Sequence, residues 1–167
     1  MPNMNNIIRK HNSKIMKNPA PSTTKTCNCR RKTDCPMGGN CLSECLIYKA
    51  SVSTTTNKYY YGTCENTFKE RFNNHNCSFR NKSREKNTEL SKYIWELKET
   101  DINYFINWNI AMKSQKYVCG SRKCDLCICE KLLISRADPN VLLNKRDELV
   151  SKCRHRNKFT LKCFKDR

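Results

Sequence analysis

Five polar side chains have the chemistry that hydrolysis of a phosphodiester requires: Tyr48, Tyr60, Arg71, His75 and Glu130. The reaction needs a positioned water, positive charge at the phosphoryl oxygens, and a metal or acid to support the leaving oxygen. A guanidinium can supply the charge, an imidazole can transfer a proton or contact the phosphate, and a carboxylate can bind a metal. A hairpin centred at Thr54 would place Tyr48 opposite Tyr60 on one face of a sheet.

The cysteines form a second set of residues with chemistry. The chain has thirteen of them, and no apolar signal is expected in its polar and basic N-terminal stretch, so metal ligation is favoured over disulfides. Cys124 and Cys127 form a CxxC unit typical of a zinc site. Its further ligands are predicted to be Cys153 and His155. Cys64, Cys77, Cys119, Cys129 and Cys163 are interpreted as packing residues.

A separate zinc site is predicted in the turn-rich segment that contains Pro36 and two glycines. Its candidate ligands are Cys29, Cys35, Cys41 and Cys45. A crossed grouping, in which Cys35 and Cys41 meet His155, stays open. The expectation is therefore one or two structural Zn²⁺ ions per chain, which contribute directly to folding.

The charge of the chain favours a nucleic-acid partner. The 33 Lys and Arg residues exceed the 15 Asp and Glu residues, which gives a formal net charge of +18. Each phosphate that such a protein neutralises releases condensed counterions, so DNA is the expected partner. The alternative for the basic N-terminal arm is that it only solvates the chain or directs nuclear import. No membrane segment is expected, and a nuclear, intracellular location is the hypothesis.

The elements that must position these residues are predicted from apolar periodicity and turn signals. Residues 1–26 are predicted to be a disordered basic arm, 27–45 a cysteine-rich zinc loop, 46–150 the core, and 151–167 a basic C-terminal segment. Within the core, strands are predicted over 46–52, 58–63 and about 106–112. Helices are predicted over about 67–78, from Thr88, over about 126–136, and over about 147–152. This order indicates an α+β domain with a three-stranded antiparallel sheet flanked by helices.

In this order the residues resemble the motifs of the GIY-YIG nuclease superfamily. The matching positions are Leu46-Ile47-Tyr48, Tyr60-Tyr61-Gly62, Arg71, His75, Glu130 and Asn144. Residues 27–161 are especially similar to the endonuclease domains of Penelope-like retroelements, in which a cysteine-rich stretch precedes the core. Leu46 and Tyr61 depart from the name-giving motifs at framework positions, but neither removes a catalytic group.

The resemblance implies a role for each matching residue. Tyr48 would orient or deprotonate the attacking water with support from Tyr60, and Arg71 would stabilise charge on the phosphorane. Glu130 would hold one Mg²⁺ or Mn²⁺, and His75 would assist the proton relay. Gly62 would permit close backbone approach, and Asn144 would fix the framework of the site. The implied products carry a 3′ hydroxyl that can prime a reverse transcriptase encoded elsewhere.

Two other interpretations remain at this point. One is a catalytically inactive, zinc-stabilised module that only grips the nucleic-acid backbone. The other is an RNA-binding protein that stacks bases on Tyr59, Tyr60 and Tyr61. The joint presence of the implied catalytic residues favours the nuclease.

Overall fold

The computed structural model describes residues 3–16, 25–117 and 124–153. The elements are α1 (Met4–Met16), β1 (Leu46–Ser53), β2 (Lys58–Cys64), α2 (Phe68–Arg80), α3 (Glu89–Glu99), β3 (Phe105–Lys113) and α4 (Asp125–Arg136). Short 3₁₀ helices lie at Lys32–Asp34, Lys82–Asn87 and Arg146–Val150. The predicted α+β class, with a three-stranded antiparallel sheet flanked by helices, is confirmed.

The sheet has the order β2-β1-β3, and both pairings are antiparallel. The predicted pairing of Tyr48 with Tyr60 is wrong, because Tyr48 pairs with Gly62 and Ala50 pairs with Tyr60. The hairpin is centred at Thr55 rather than Thr54, because Val52 pairs with Lys58. Within the turn the Thr54 hydroxyl bonds to the backbone of Thr56. A shift of two residues preserves the face, so the rings of Tyr48 and Tyr60 still share one side with centroids 6.4 Å apart.

The two faces of the sheet pack against different helices. On one face, apolar side chains of β1 and β3 join buried residues of α2 and α3 in the main core. That core includes Leu46, Tyr48, Val52, Phe68, Leu90, Ile94 and Trp108. On the other face, Ile47 packs with Cys124 and Leu126 at the start of α4. The pairing of β1 with β3 shifts between Ile47 and Tyr48, which marks a β-bulge.

The starts of α2 and α3 lie where the sequence predicted them and are set by threonine caps. The Thr67 side chain accepts a hydrogen bond from the backbone N–H of Glu70, and the Thr88 side chain accepts one from that of Ser91. These caps satisfy N–H groups that have no partner inside a helix. They therefore fix where α2, which carries Arg71 and His75, begins.

The outer edge of β2 is covered by the segment that follows α4. The Tyr59 N–H donates to Val141 O at 2.9 Å, and the Leu143 N–H donates to Tyr59 O at 2.8 Å. The side chain of Asn144 continues this pairing, because its Oδ1 accepts from the Tyr61 N–H at 2.7 Å and its Nδ2 donates to Tyr61 O at 2.8 Å. One buried amide thus replaces a backbone partner for the edge strand.

The prediction of a disordered arm over 1–26 is wrong for residues 4–16, which form α1. The Asn3 side chain accepts a hydrogen bond from the Asn5 N–H at 3.0 Å, and Ile8 is buried. This hydrogen bond and the burial of Ile8 together offset the conformational entropy that residues 4–16 lose when they form a helix. No helix in the described part of the chain is long and apolar enough to cross a membrane.

We expect Asn144→Ala to lower the free energy of unfolding by roughly 2–3 kcal/mol, because it leaves both backbone groups of Tyr61 without their partner. Urea denaturation measures the change. Asn140→Ala, in the same connecting segment and exposed, is the matched control and should change stability by no more than about 0.5 kcal/mol. Equal losses in the two variants would show that the amide pairing does not support β2.

Candidate active site and metal centres

Tyr48 lies at the centre of the candidate site, and its side chain is fully buried. Arg71 donates its Nε–H to the Tyr48 hydroxyl at 3.1 Å. His75, one turn further along α2, places Nε2 at 2.7 Å from the same hydroxyl. The structure therefore brings Tyr48, Arg71 and His75 into direct contact, and the i, i+4 spacing on one helix explains why both partners reach one phenol.

The environment keeps both Tyr48 and His75 neutral at pH 7. Burial raises the pKa of Tyr48 to about 12, although the nearby Arg71 opposes the shift. Burial, aided by the charge of Arg71, lowers the pKa of His75 to about 3. A neutral phenol and a neutral imidazole can share a hydrogen bond without placing a charge in the core.

Aromatic packing and a glycine enclose this polar group. The Tyr48 ring contacts Phe68 and Trp108 with centroid distances of 5.4 and 5.7 Å, and the His75 ring stacks on Phe79 at 5.8 Å. A Cβ atom at Gly62 would lie 2.5 Å from Cζ of Tyr48 and closer still to its hydroxyl. Gly62 is therefore required for close approach, as the resemblance implied, since no other residue leaves room for the phenol.

A cleft of about 310 Å³ lies beside this buried group and is lined by Tyr60, Arg71 and Glu130. Tyr60 comes from β2, Arg71 from α2, and Glu130 from α4, so residues far apart in sequence meet at one surface. Tyr48, His75 and Asn144 do not line the cleft. They lie behind it and reach it through Arg71 and the backbone of β2.

Glu130 fits the kind of ligand that Mg²⁺ takes. Mg²⁺ prefers oxygen ligands and keeps several waters, so one or two carboxylates together with substrate phosphates commonly complete its coordination. Glu130 supplies one carboxylate at a cleft that Arg71 also lines. Within the described residues, the groups of three or more potential metal ligands consist of cysteines only. Glu130 is not a member of either described group.

The first cysteine group could hold a zinc ion. Its members are Cys27, Cys29, Cys35 and Cys41, whose Sγ atoms all lie within 4.8 Å of one another. The Sγ of Cys41 is 3.6 Å from that of Cys29 and 3.5 Å from that of Cys27. Tetrahedral Zn²⁺ with Zn–S bonds of about 2.3 Å places its sulfurs about 3.8 Å apart. The observed spacing suits that geometry.

The predicted ligand set of this group is wrong at one position, because Cys27 takes the place assigned to Cys45. Cys45 adopts a positive φ of 49° at the entrance to β1. Its Sγ lies 3.4 Å from the backbone oxygen of Glu65, at the end of the β1–β2 hairpin. The close spacing of Cys27 and Cys29 is the sequence signal that could have identified Cys27 as a ligand.

The turn between Cys35 and Cys41 favours a thiolate. Burial opposes ionisation of Cys35, but backbone N–H groups of Met37 and Gly39 lead the contacts that lower its pKa to about 6. Gly38 and Gly39 have φ values of 55° and 93°, which side-chain-bearing residues rarely adopt. The glycines thus let the backbone turn its N–H groups toward the sulfur.

The second cysteine group consists of Cys124, Cys127 and Cys153, whose Sγ atoms also lie within 4.8 Å of one another. The Sγ atoms of Cys127 and Cys153 are 3.5 Å apart. Three of the predicted ligands are therefore brought together, and the proposed fourth, His155, lies outside the described residues. The group joins the start of α4 to the segment that follows the last 3₁₀ helix.

The remaining cysteines differ in their surroundings. Cys64 is buried and Cys129 is partly buried, as packing residues should be. Cys77 is exposed, so its predicted packing role is wrong. Cys119 and Cys163 lie outside the described residues.

Comparison of the chain with protein-family models, curated proteins and solved structures gives no match.

We expect Cys27→Ser to reduce the bound zinc by one ion per chain, because it removes one of four converging sulfurs. Cys45→Ser is the matched control and should keep the full zinc content, since its sulfur points to the hairpin. Elemental analysis of the purified variants, with chelator-dependent melting, measures both. Loss of zinc only in the Cys45 variant would restore the ligand set that the sequence suggested.

We expect acidification to destabilise the fold through His75. Its folded pKa lies below the unfolded value of 6.5, so the unfolded chain binds the proton first. The stability that neutral His75 contributes is complete above pH 6.5 and is lost as the pH falls toward 3. Between about pH 7.5 and about pH 5.5 the loss should be about 1 kcal/mol.

Urea denaturation at the two pH values measures this loss. His75→Gln keeps a polar group beside Tyr48 but does not titrate. Its free energy of unfolding should therefore fall between the two pH values by about 1 kcal/mol less than that of the wild-type protein. Acid release of any bound zinc affects both proteins and cancels in the comparison. An identical pH dependence in the two proteins would mean that His75 is not held neutral by the fold.

Proposed function

We propose that the protein is a metal-dependent DNA endonuclease of the GIY-YIG type, which hydrolyses phosphodiester bonds and leaves 3′ hydroxyl ends. One observation carries the proposal. Arg71 lines the same cleft as Tyr60 and Glu130 while its Nε–H donates to buried Tyr48. The contact links buried Tyr48 to the cleft surface on which Arg71, Tyr60 and Glu130 lie.

Three residues act directly on the substrate in this proposal. The Arg71 guanidinium neutralises charge on the phosphoryl oxygens, and the Tyr60 hydroxyl contacts the attacking water. Glu130 holds a single Mg²⁺ or Mn²⁺, which when bound would supply Lewis-acid polarisation of the phosphate and support for the leaving oxygen. Such preorganised charges act most strongly where charge develops in the transition state.

Tyr48, His75 and Asn144 are positioning residues in this proposal. Tyr48 is buried, so it acts on the cleft by accepting the Arg71 Nε–H and fixing the guanidinium. His75 accepts or donates the second hydrogen bond to Tyr48 without carrying charge. Asn144 holds the backbone of Tyr61, next to Tyr60, in place.

DNA as the substrate is supported by the net charge of +18. The likeness to endonuclease domains of Penelope-like elements adds a retroelement origin and a reverse transcriptase encoded elsewhere as partner. A nuclear location follows from the DNA substrate and the basic N-terminal residues. A 3′ hydroxyl at the nick would be the end that such a polymerase extends.

The second candidate function is a catalytically inactive, zinc-stabilised nucleic-acid-binding module. The full burial of Tyr48 favours it, because a buried phenol serves the core whether or not the cleft performs chemistry. The two cysteine groups are compatible with either function, since they stabilise the fold in both. Only an activity measurement separates the two.

We expect Glu130→Gln to abolish Mg²⁺-dependent nicking of a supercoiled plasmid while DNA affinity is kept or raised. The substitution removes the ligand charge but keeps the side-chain volume. Glu96→Gln, on the exposed side of α3, makes the same charge change away from the cleft and should nick at the wild-type rate. Absence of nicking by the wild-type protein under any divalent metal would leave the binding module as the function.

A further inference from the structure

Two lysines also line the cleft, and the proposed chemistry does not use them. Lys86 belongs to the 3₁₀ helix Lys82–Asn87 before α3, and Lys152 lies in the segment after the 3₁₀ helix Arg146–Val150. Both side chains are exposed. In the part of the chain that the structure describes, neither has an ion-pair partner. Their ammonium groups are therefore available to an anion.

The charge balance of the cleft makes an anion the expected occupant. Among the described residues that line it, Glu89 and Glu130 carry carboxylates. Glu89 already pairs with Lys145 at 2.8 Å. The described lining therefore carries three cations, Arg71, Lys86 and Lys152, against two carboxylates, which gives it a net positive charge. A polyanion with several phosphates matches this arrangement better than a single anion does, because the cations come from three different elements.

The position of Lys152 depends on the second cysteine group. Cys153, its neighbour, has its Sγ 3.5 Å from that of Cys127, and Cys127 itself lines the cleft. Val150 is 84% exposed, so apolar burial does not hold this segment. Lys131 of α4 adds one hydrogen bond, from its Nζ to Ser151 O at 2.6 Å. The contact between the two sulfurs and the bond from Lys131 thus both hold the segment next to Lys152 against α4.

We propose that Lys86 and Lys152 form a phosphate clamp that holds the DNA strand on either side of the scissile phosphate. A metal ion bound by Cys124, Cys127 and Cys153 keeps the Lys152 half of this clamp in place. The proposal rests on the nuclease function, because it assigns the occupant of that same cleft. It goes further in making DNA affinity depend on a zinc ion that contacts neither DNA nor the reacting atoms.

The clamp is tested by DNA binding in the full-length Glu130→Gln background, so that cleavage does not interfere. The probe is a short duplex of fixed sequence, and affinity is measured by fluorescence anisotropy over a fourfold range of salt without added divalent metal. Lys86→Ala and Lys152→Ala should each lower the log–log salt slope by about 0.9. Between the lowest and the highest salt, the affinity of each variant should fall by a factor about 3.5 times smaller than the factor for the parent. Lys92→Ala removes an equally exposed charge on α3, outside the cleft, and should keep the parent slope.

The zinc dependence is tested by replacing Cys153. Cys153→Ser should reproduce the slope of Lys152→Ala, and adding it to Lys152→Ala should change the slope no further. Cys153→His, which keeps a zinc ligand, should restore the parent slope. Additive effects of Cys153→Ser and Lys152→Ala would overturn the coupling, and unchanged slopes in both lysine variants would overturn the clamp.

These outcomes remain distinct from failure of the nuclease proposal. Altered slopes in a protein that never nicks DNA would support the clamp and reject the chemistry. Nicking by the wild-type protein together with unaltered slopes in the lysine variants would support the chemistry and reject the clamp. The two lysine variants also keep the clamp testable if Cys153→Ser does not fold, which circular dichroism reports.

Discussion

The need to satisfy one buried phenol organises the candidate site. Tyr48 is fully buried on the central strand, and a hydroxyl there without a partner would cost on the order of 1–3 kcal/mol. Arg71 and His75 supply the partners. To do so, α2 must present both residues to the sheet, and position 62 must lack a side chain. The same requirement turns the Arg71 guanidinium toward the cleft, so packing of the core and geometry of the site have one cause.

The cysteine groups meet a different need, which arises from the sequence outside the sheet. The segment from Cys27 to Cys45 has few large apolar residues of its own, and the segment before Cys153 leaves Val150 exposed. Neither can be held by burial alone in a domain of this size. Converging sulfurs that could hold a metal ion can replace the missing apolar area, because binding of a metal to a folded site contributes directly to folding.

Local sequence signals predicted where the helices and strands lie. Strand register and contacts between residues distant in sequence were harder to predict. The threonine caps at Thr67 and Thr88 were readable because a cap acts within three residues of itself. The hairpin pairing was not readable, since a turn centred one residue later than expected moves the register by two residues. The convergence of Tyr60, Arg71 and Glu130 followed from the family resemblance, whereas composition and periodicity alone placed them on separate elements. Cys45 was misassigned because spacing restricts which sulfurs can meet but does not determine the direction of each side chain.

The edge strand β2 connects these constraints. Its Tyr60 lines the cleft, its Gly62 accommodates Tyr48, and its Tyr61 is held by Asn144 from a segment more than eighty residues away in sequence. That segment continues into Lys145, which pairs with Glu89 at the start of α3. Displacement of the edge would therefore move the phenol of Tyr60, loosen the packing around Tyr48, and release the carboxylate of Glu89 into the cleft. Because one unpaired carboxylate would lower the positive charge available to a phosphate, the backbone pairing of β2 controls the electrostatics of the cleft as well as its shape.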